Sequence, residues 1–248
     1  MQIACTTIII LKGINMKKII LFLIFSSLSF PLLAGIKFTP IQLYLGNKAK
    51  QQRSATVVVE SSGVDSVKIF GLSAVKWEQN EKGDDILVEE KNILFNPKIF
   101  ELKPESKQIV RVGFSQPFSN QDLEKEQTWR VIFNEVTPVL DDEAINFQFN
   151  FSLPLFVGKQ DKTNLDVKLR NENNNMLVDV KNMSKSHAQI TDIKLVDSNN
   201  KELMQKSFNR YLLIGQKYTF DLGVMNNKQN DKIKVKIKTD KDGDLLEY

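Results

Sequence analysis

The chain has 248 residues, of which 42% are hydrophobic and 26% charged, an ordinary globular composition long enough for one large β domain or two of common size. Three of its 34 basic residues, Lys12, Lys17 and Lys18, fall in the first 34 positions, which hold no acidic residue; the remainder carries 31 basic against 30 acidic residues. Such a near-neutral balance excludes a general electrostatic case for nucleic acid or an anionic membrane as partner. Cys5 is the only cysteine and precedes the rest of the fold, so a disulfide framework and a cysteine metal site are excluded for the remainder.

Residues 1–34 read as a signal peptide. Met16-Lys17-Lys18 opens a short positive region, Ile19 to Phe30 is apolar, and Pro31-Leu32-Leu33-Ala34 offers a cleavage site before Gly35. Met16 is the better start, with residues 1–15 an upstream extension. The apolar run is too short for a good membrane span, and no second run follows, so export without stable membrane insertion is expected.

From Ile36 onward the pattern is strands and turns. Ile36 to Leu45, with Pro40 inside, reads as an edge strand, because proline cannot donate to a ladder interior. Ala55 to Glu60, Val67 to Trp77, Ile93 to Leu102, Gln108 to Phe114 and Thr128 to Val136 follow as strands, with a polar loop over Gln116 to Gln127. Residues 80–85 and 137–144 read as turns. Ile145-Asn146-Phe147-Gln148-Phe149-Asn150-Phe151-Ser152-Leu153 then alternates apolar and polar side chains without a break. Successive strand side chains point to opposite faces, so Ile145, Phe147, Phe149, Phe151 and Leu153 share one side. Such a row is either a core face or a surface meant for a partner, and Pro154 ends the alternation.

Gly158 to Lys162 is a polar linker. It divides an N-terminal domain over 35–157 from a C-terminal one over 163–248, with the linker at 158–162. Leu165 to Leu169, Met176 to Val180, Ile190 to Val196, Tyr211 to Ile214, Tyr218 to Leu222 and Ile233 to Ile237 are its expected strands. The expectation is an all-β chain of two immunoglobulin-like β-sandwich domains.

No catalytic constellation can be read. Nucleophile elbows, phosphate-binding glycine loops and histidine-based triads are absent from the sequence, so an enzyme is not expected, nor a cofactor or a metal. His187, the single histidine, lies in Ser184-Lys185-Ser186-His187 and reads as a surface loop residue. Asp240-Lys241-Asp242-Gly243-Asp244 has too few ligands in register for a calcium loop and reads as a turn. Arg111, in Ile109-Val110-Arg111-Val112, and Arg130, in Trp129-Arg130-Val131-Ile132-Phe133, interrupt apolar strands. Each either faces solvent or joins the other in a cleft as a carboxylate clamp.

Ile93-Leu94-Phe95-Asn96-Pro97-Lys98-Ile99-Phe100-Glu101-Leu102-Lys103-Pro104, Gln108-Ile109-Val110-Arg111-Val112 and Trp129 to Pro138 resemble the corresponding stretches of the periplasmic pilus-assembly chaperones, the PapD-like family. Pro40-Ile41-Gln42-Leu43 and Ser152 to Val157 are nearer to its archaic or spore-coat-type branch. The resemblance implies an L- or boomerang-shaped pair of sandwiches. It also implies a periplasmic protein that stabilises pilus subunits by donor-strand complementation and delivers them to an outer-membrane usher. On that reading Ile145, Phe147, Phe149, Phe151 and Leu153 of the family's G1 strand enter the subunit groove, and an exposed row of this kind would also support self-association. The better-studied chaperones anchor the subunit's terminal carboxylate with an Arg in the first strand and a Lys in G1. Here those places hold Ile41 or Gln42 and Pro154, which leaves Arg111 and Arg130 as the candidate anchor. The competing expectation is an exported carbohydrate- or protein-binding β-sandwich module of adhesin type.

Overall fold

The computed structural model describes residues 35–46, 53–119, 121, 123–136, 148–225 and 232–248. Among them there are seventeen strands and no helix. Two sheets come from the first ten strands: β1 (Gly35–Thr39), β2 (Leu43–Leu45), β3 (Ser54–Ser62), β4 (Lys68–Gln79), β5 (Asp85–Glu90), β6 (Ile93–Asn96), β7 (Ile99–Leu102), β8 (Lys107–Phe114), β9 (Gln127–Glu135) and β10 (Asn150–Val157). One sheet runs β1-β3-β8-β6; the other runs β2-β10-β9-β4-β5, with β7 also paired to β4. The inner faces of both sheets are the alternating apolar positions of their strands, and they close on one core. Val57, Val59, Val110 and Val112 of the first sheet meet Phe70, Val131, Phe133 and Leu155 of the second, all fully buried.

The second sandwich pairs β11 (Leu165–Glu172), β12 (Asn175–Asn182) and β15 (Lys217–Val224) in one sheet. The other runs β14 (Glu202–Leu212), β13 (Ala188–Val196), β16 (Lys234–Thr239) and β17 (Leu246–Glu247). Its core holds Met176, Val178, Ile190, Ile193, Leu195, Phe220 and Ile237. The β11–β12 turn places Asn173 and Asn174 at φ of 52° and 67°, the left-handed pair that a two-residue hairpin requires and that asparagine tolerates.

Three sequence expectations change. The first strand is broken near Pro40: β1 pairs antiparallel with β3, whereas β2 moves to the other sheet and pairs parallel with β10. The strand before the linker does not stop at Pro154 but continues to Val157, fully buried over Leu155–Val157. β5 and most of β14 escape the periodicity reading. Every side chain of Asp85–Glu89 is exposed, so β5 has no buried face to leave a signature.

The sandwiches meet over an apolar contact of Trp77 and Phe156 with Leu213, flanked by Tyr44 and Tyr211. Side-chain amides stitch its border. Gln79 donates to the Tyr211 carbonyl at 3.0 Å and accepts from the Leu213 N–H at 2.9 Å, while Gln216 donates to the Gln79 carbonyl at 2.9 Å. His187 belongs to this contact and is fully buried, which corrects its reading as a surface loop residue. Its ring stacks on Phe156 with centroids 3.4 Å apart and planes 7° from parallel.

Candidate functional site

β10 owes its place to the same alternation seen in the sequence. Leu153, Leu155 and Val157 fall on its inner face and are buried in the first core. The row then climbs out of that core toward the start of the strand. Phe151 is half-buried, its ring 4.7 Å from Phe38 and 6.2 Å from Phe70, and Phe149 is 46% exposed, stacked on Phe151 at 5.9 Å. Glu135 fixes this end. Its buried carboxylate accepts from Lys68 Nζ at 2.8 Å and from the Phe149 N–H at 3.0 Å. The candidate insertion row therefore divides. Leu153 fills the protein's own core and is not free to enter a partner, Phe151 is shared, and Phe149 is open. Ile145 and Phe147 lie outside the described residues.

Where the row emerges, β10 is paired on one edge only among the described residues. The Phe149 carbonyl accepts from the Glu135 N–H at 2.9 Å, whereas the Gly158 N–H turns the other way, to the Leu45 carbonyl at 2.9 Å. In an antiparallel ladder the backbone groups alternate in direction, so odd positions bond β9 and even positions face the β2 side. β2 covers that side only opposite Leu155–Val157. Among the described residues no strand lies beside Asn150 and Ser152 there, both exposed, so they present a free N–H and C=O edge. Pro154 sits where the missing N–H would point to this edge, which explains how a proline is accommodated within the strand.

The two arginines are not brought together. Arg111 lies between the buried Val110 and Val112 of β8, so it projects, exposed, from the outer face of the first sheet. Its pairing with Arg130 in one clamp is thereby overturned. Arg130 is on β9 in the second sheet, directly across from Pro154 of β10 and Val75 of β4. Its guanidinium lies 3.8 Å above the Trp77 ring and 6.0 Å from Tyr211 of the second sandwich, with Asp85 the nearest carboxylate at 3.8 Å. The side chain is 18% exposed. Burial pushes the guanidinium below its usual range, with Asp85 and Tyr211 opposing, but a guanidinium stays charged at any working pH. At 3.8 Å the Asp85 contact is too long for a good hydrogen bond, so the fork keeps donor capacity toward the cleft between the sandwiches.

The position noted as neutral in the first strand, Gln42, has a different task. Its amide donates to the Tyr211 hydroxyl at 2.8 Å and to Gln189 at 3.0 Å, and it accepts from the Tyr44 hydroxyl at 2.9 Å. It ties the first sandwich to the second beside Arg130. Sequence reasoning missed this role, as it missed Gln79 and His187, because the partners across the interface lie more than fifty residues away. Ile41, 68% exposed, is the alternative at that position and points to solvent.

A scan against protein-family models finds no match, and no curated protein matches the chain. Solved structures do. The CsuC–CsuE chaperone–tip adhesion subunit pre-assembly complex, from archaic chaperone-usher Csu pili of Acinetobacter baumannii, aligns with a TM-score of 0.58 at 18% identity. The alignment covers 86% of this chain and 98% of that one. The YadV chaperone gives 0.59 at 15% identity, covering 86% and 97%. The Salmonella enterica SafA pilin in complex with the SafB chaperone gives 0.56 at 14%, covering 87% and 96%. This chain has the two-domain β-sandwich fold of the chaperones of pilus chaperone-usher pathways.

Proposed function

We propose that the protein is a periplasmic chaperone of the archaic branch that captures pilus subunits on β10 and passes them to an outer-membrane usher, without enzymatic chemistry. The observation that carries this reading is the emergent end of β10. There an unpaired backbone edge at Asn150 and Ser152 coincides with an apolar row leaving the core at Phe149. An immunoglobulin-like subunit short of one strand needs both: main-chain partners along an edge and alternate side chains for its groove, the pattern of β-strand addition. Leu153 and Leu155, locked in the chaperone's own core, set the register so that positions upstream reach the client. Arg130, in the cleft beside the strand, is the candidate anchor for the client's terminal carboxylate, and Arg111 is set aside. The domain boundaries read from the sequence, 35–157 and 163–248, fit this assignment, since β10 ends at Val157 and β11 begins at Leu165.

Co-expression with a pilin encoded beside its gene tests the reading. A stable one-to-one complex is expected, and Phe149→Asp should lower its recovery at least about tenfold, since burying a phenylalanine contributes about 1.5–3 kcal/mol. Failure of the unaltered protein to hold any such pilin would favour a binding module of another kind.

A further inference from the structure

Arg130, Trp77 and Tyr211 form a triangle that spans the two sandwiches. The Arg130 guanidinium of β9 lies 3.8 Å from the centre of the Trp77 ring of β4 and 6.0 Å from that of Tyr211 of β14. The two rings meet edge-on, 5.3 Å apart at 83°. Each of the three carries a donor that the described residues leave unspent. Arg130 has only the long contact to Asp85, a carboxylate that already accepts from Gln79 Nε2 at 3.0 Å. Trp77 is 1% exposed, and its indole N–H has no partner. Tyr211 is engaged as an acceptor: Gln42 Nε2 faces its hydroxyl at 2.8 Å, Gln189 Oε1 at 3.0 Å and Asp240 Oδ2 at 3.4 Å. An ionised carboxylate can only accept, so Asp240 fixes the Gln42 nitrogen as the donor and leaves the Tyr211 hydrogen to be given elsewhere. Burial pushes the Tyr211 phenol up, so that hydrogen is retained. Few buried donors in a folded protein lack an acceptor, and here three meet beside a cation at the cleft. The group they lack is an anion that accepts several bonds at once, which a carboxylate does.

We infer that the hydroxyl of Tyr211 is a second donor to the carboxylate that enters at Arg130, so that the second sandwich completes the anchor site. This rests on the reading of Arg130 as the anchor, which draws on the first sandwich alone. The Arg130 fork holds the carboxylate by charge-assisted bonds, and Tyr211, oriented by Gln42, gives its hydrogen to one of the oxygens. The site thereby selects a chain end: an extended segment that runs through the cleft without ending there has no carboxylate to offer, and it leaves both donors unpaired.

The test uses the C-terminal peptide of a pilin encoded beside the gene, synthesised once as the free acid and once as the amide, and titrated by fluorescence anisotropy into the full-length mature protein. The acid should bind about ten- to a hundredfold more tightly than the amide. Tyr211→Phe keeps the ring against Trp77 and removes only the hydroxyl. It should cut that preference about tenfold and leave the affinity for the amide unchanged. Should that variant not fold, the unaltered protein labelled with carbon-13 at tyrosine Cζ gives four resonances. That of Tyr211 should move with the acid and not with the amide, while those of Tyr218 and Tyr248, outside the triangle, stay in place with both. A preference that Arg130→Ala abolishes and Tyr211→Phe leaves intact would overturn the second donor and keep the anchor at Arg130. A Tyr211→Phe variant that loses affinity for acid and amide alike, or a Tyr211 resonance that responds equally to both, would reduce Tyr211 to a contact between the sandwiches and overturn the inference. Equal binding of acid and amide by the unaltered protein, or binding of neither, would overturn the Arg130 anchor and this inference with it.

Discussion

Arg130 lies with its guanidinium 3.8 Å from the centre of the Trp77 ring, a cation–π contact that holds the fork at the cleft while Asp85 remains too far for a close bond. That arrangement suits a carboxylate entering from the cleft. Charge-assisted bonds contribute about 1.5–3 kcal/mol, so Arg130→Ala should lower affinity for a client, measured by titration with a purified pilin, by about ten- to a hundredfold. Arg111→Ala should leave it unchanged. A second test at this scale concerns Asp179, whose carboxyl is held below its usual range by hydrogen bonds from Arg170, helped by Thr219. A depressed folded value means stability that is present above the unfolded pKa of about 3.9 and lost as pH falls through the folded one. Thermal melting followed by circular dichroism should therefore drop in acid, and Asp179→Asn should show a shallower drop below about pH 4.

At the scale of the element, β10 is one strand with two ends in different surroundings. Leu153 is buried in the core and Leu153→Ala should destabilise by about 2–5 kcal/mol in urea unfolding. Phe149→Ala, at the emergent end, should cost about 1 kcal/mol or less. Equal costs at both positions would mean that the row does not leave the core as described. Over Phe149 to Leu153 the alternation shows which side chains share a face, but not where along the row the core ends. That limit depends on Phe38, Phe70 and Phe133 of other strands, which pack around Phe151 and Leu153. In the sequence Pro154 only ends the alternation; its edge position shows once β2 is known to begin pairing one residue later.

For the whole molecule, the two β halves were legible because their cores come from local alternation, and the candidate edge because its aromatic row is local too. The interface was not. Trp77, Phe156 and Leu213 come from distant stretches, and Gln79, Glu126 and His187 are polar residues whose burial nothing nearby announces. The same is true of the arginines: each interrupts an apolar strand in the same way, and only the sheet assignment sends Arg130 to the cleft and Arg111 to the opposite face. The claim that unites these levels is that β10 pairs with a client through its free edge while the rest of the fold stays as it is. Amide hydrogen exchange on the protein, alone and in complex with a pilin, tests it most directly. Asn150 and Ser152 should exchange rapidly alone and become strongly protected in the complex, with Leu155 and Val157 protected in both. Unchanged exchange at Asn150 and Ser152 on binding would contradict the account.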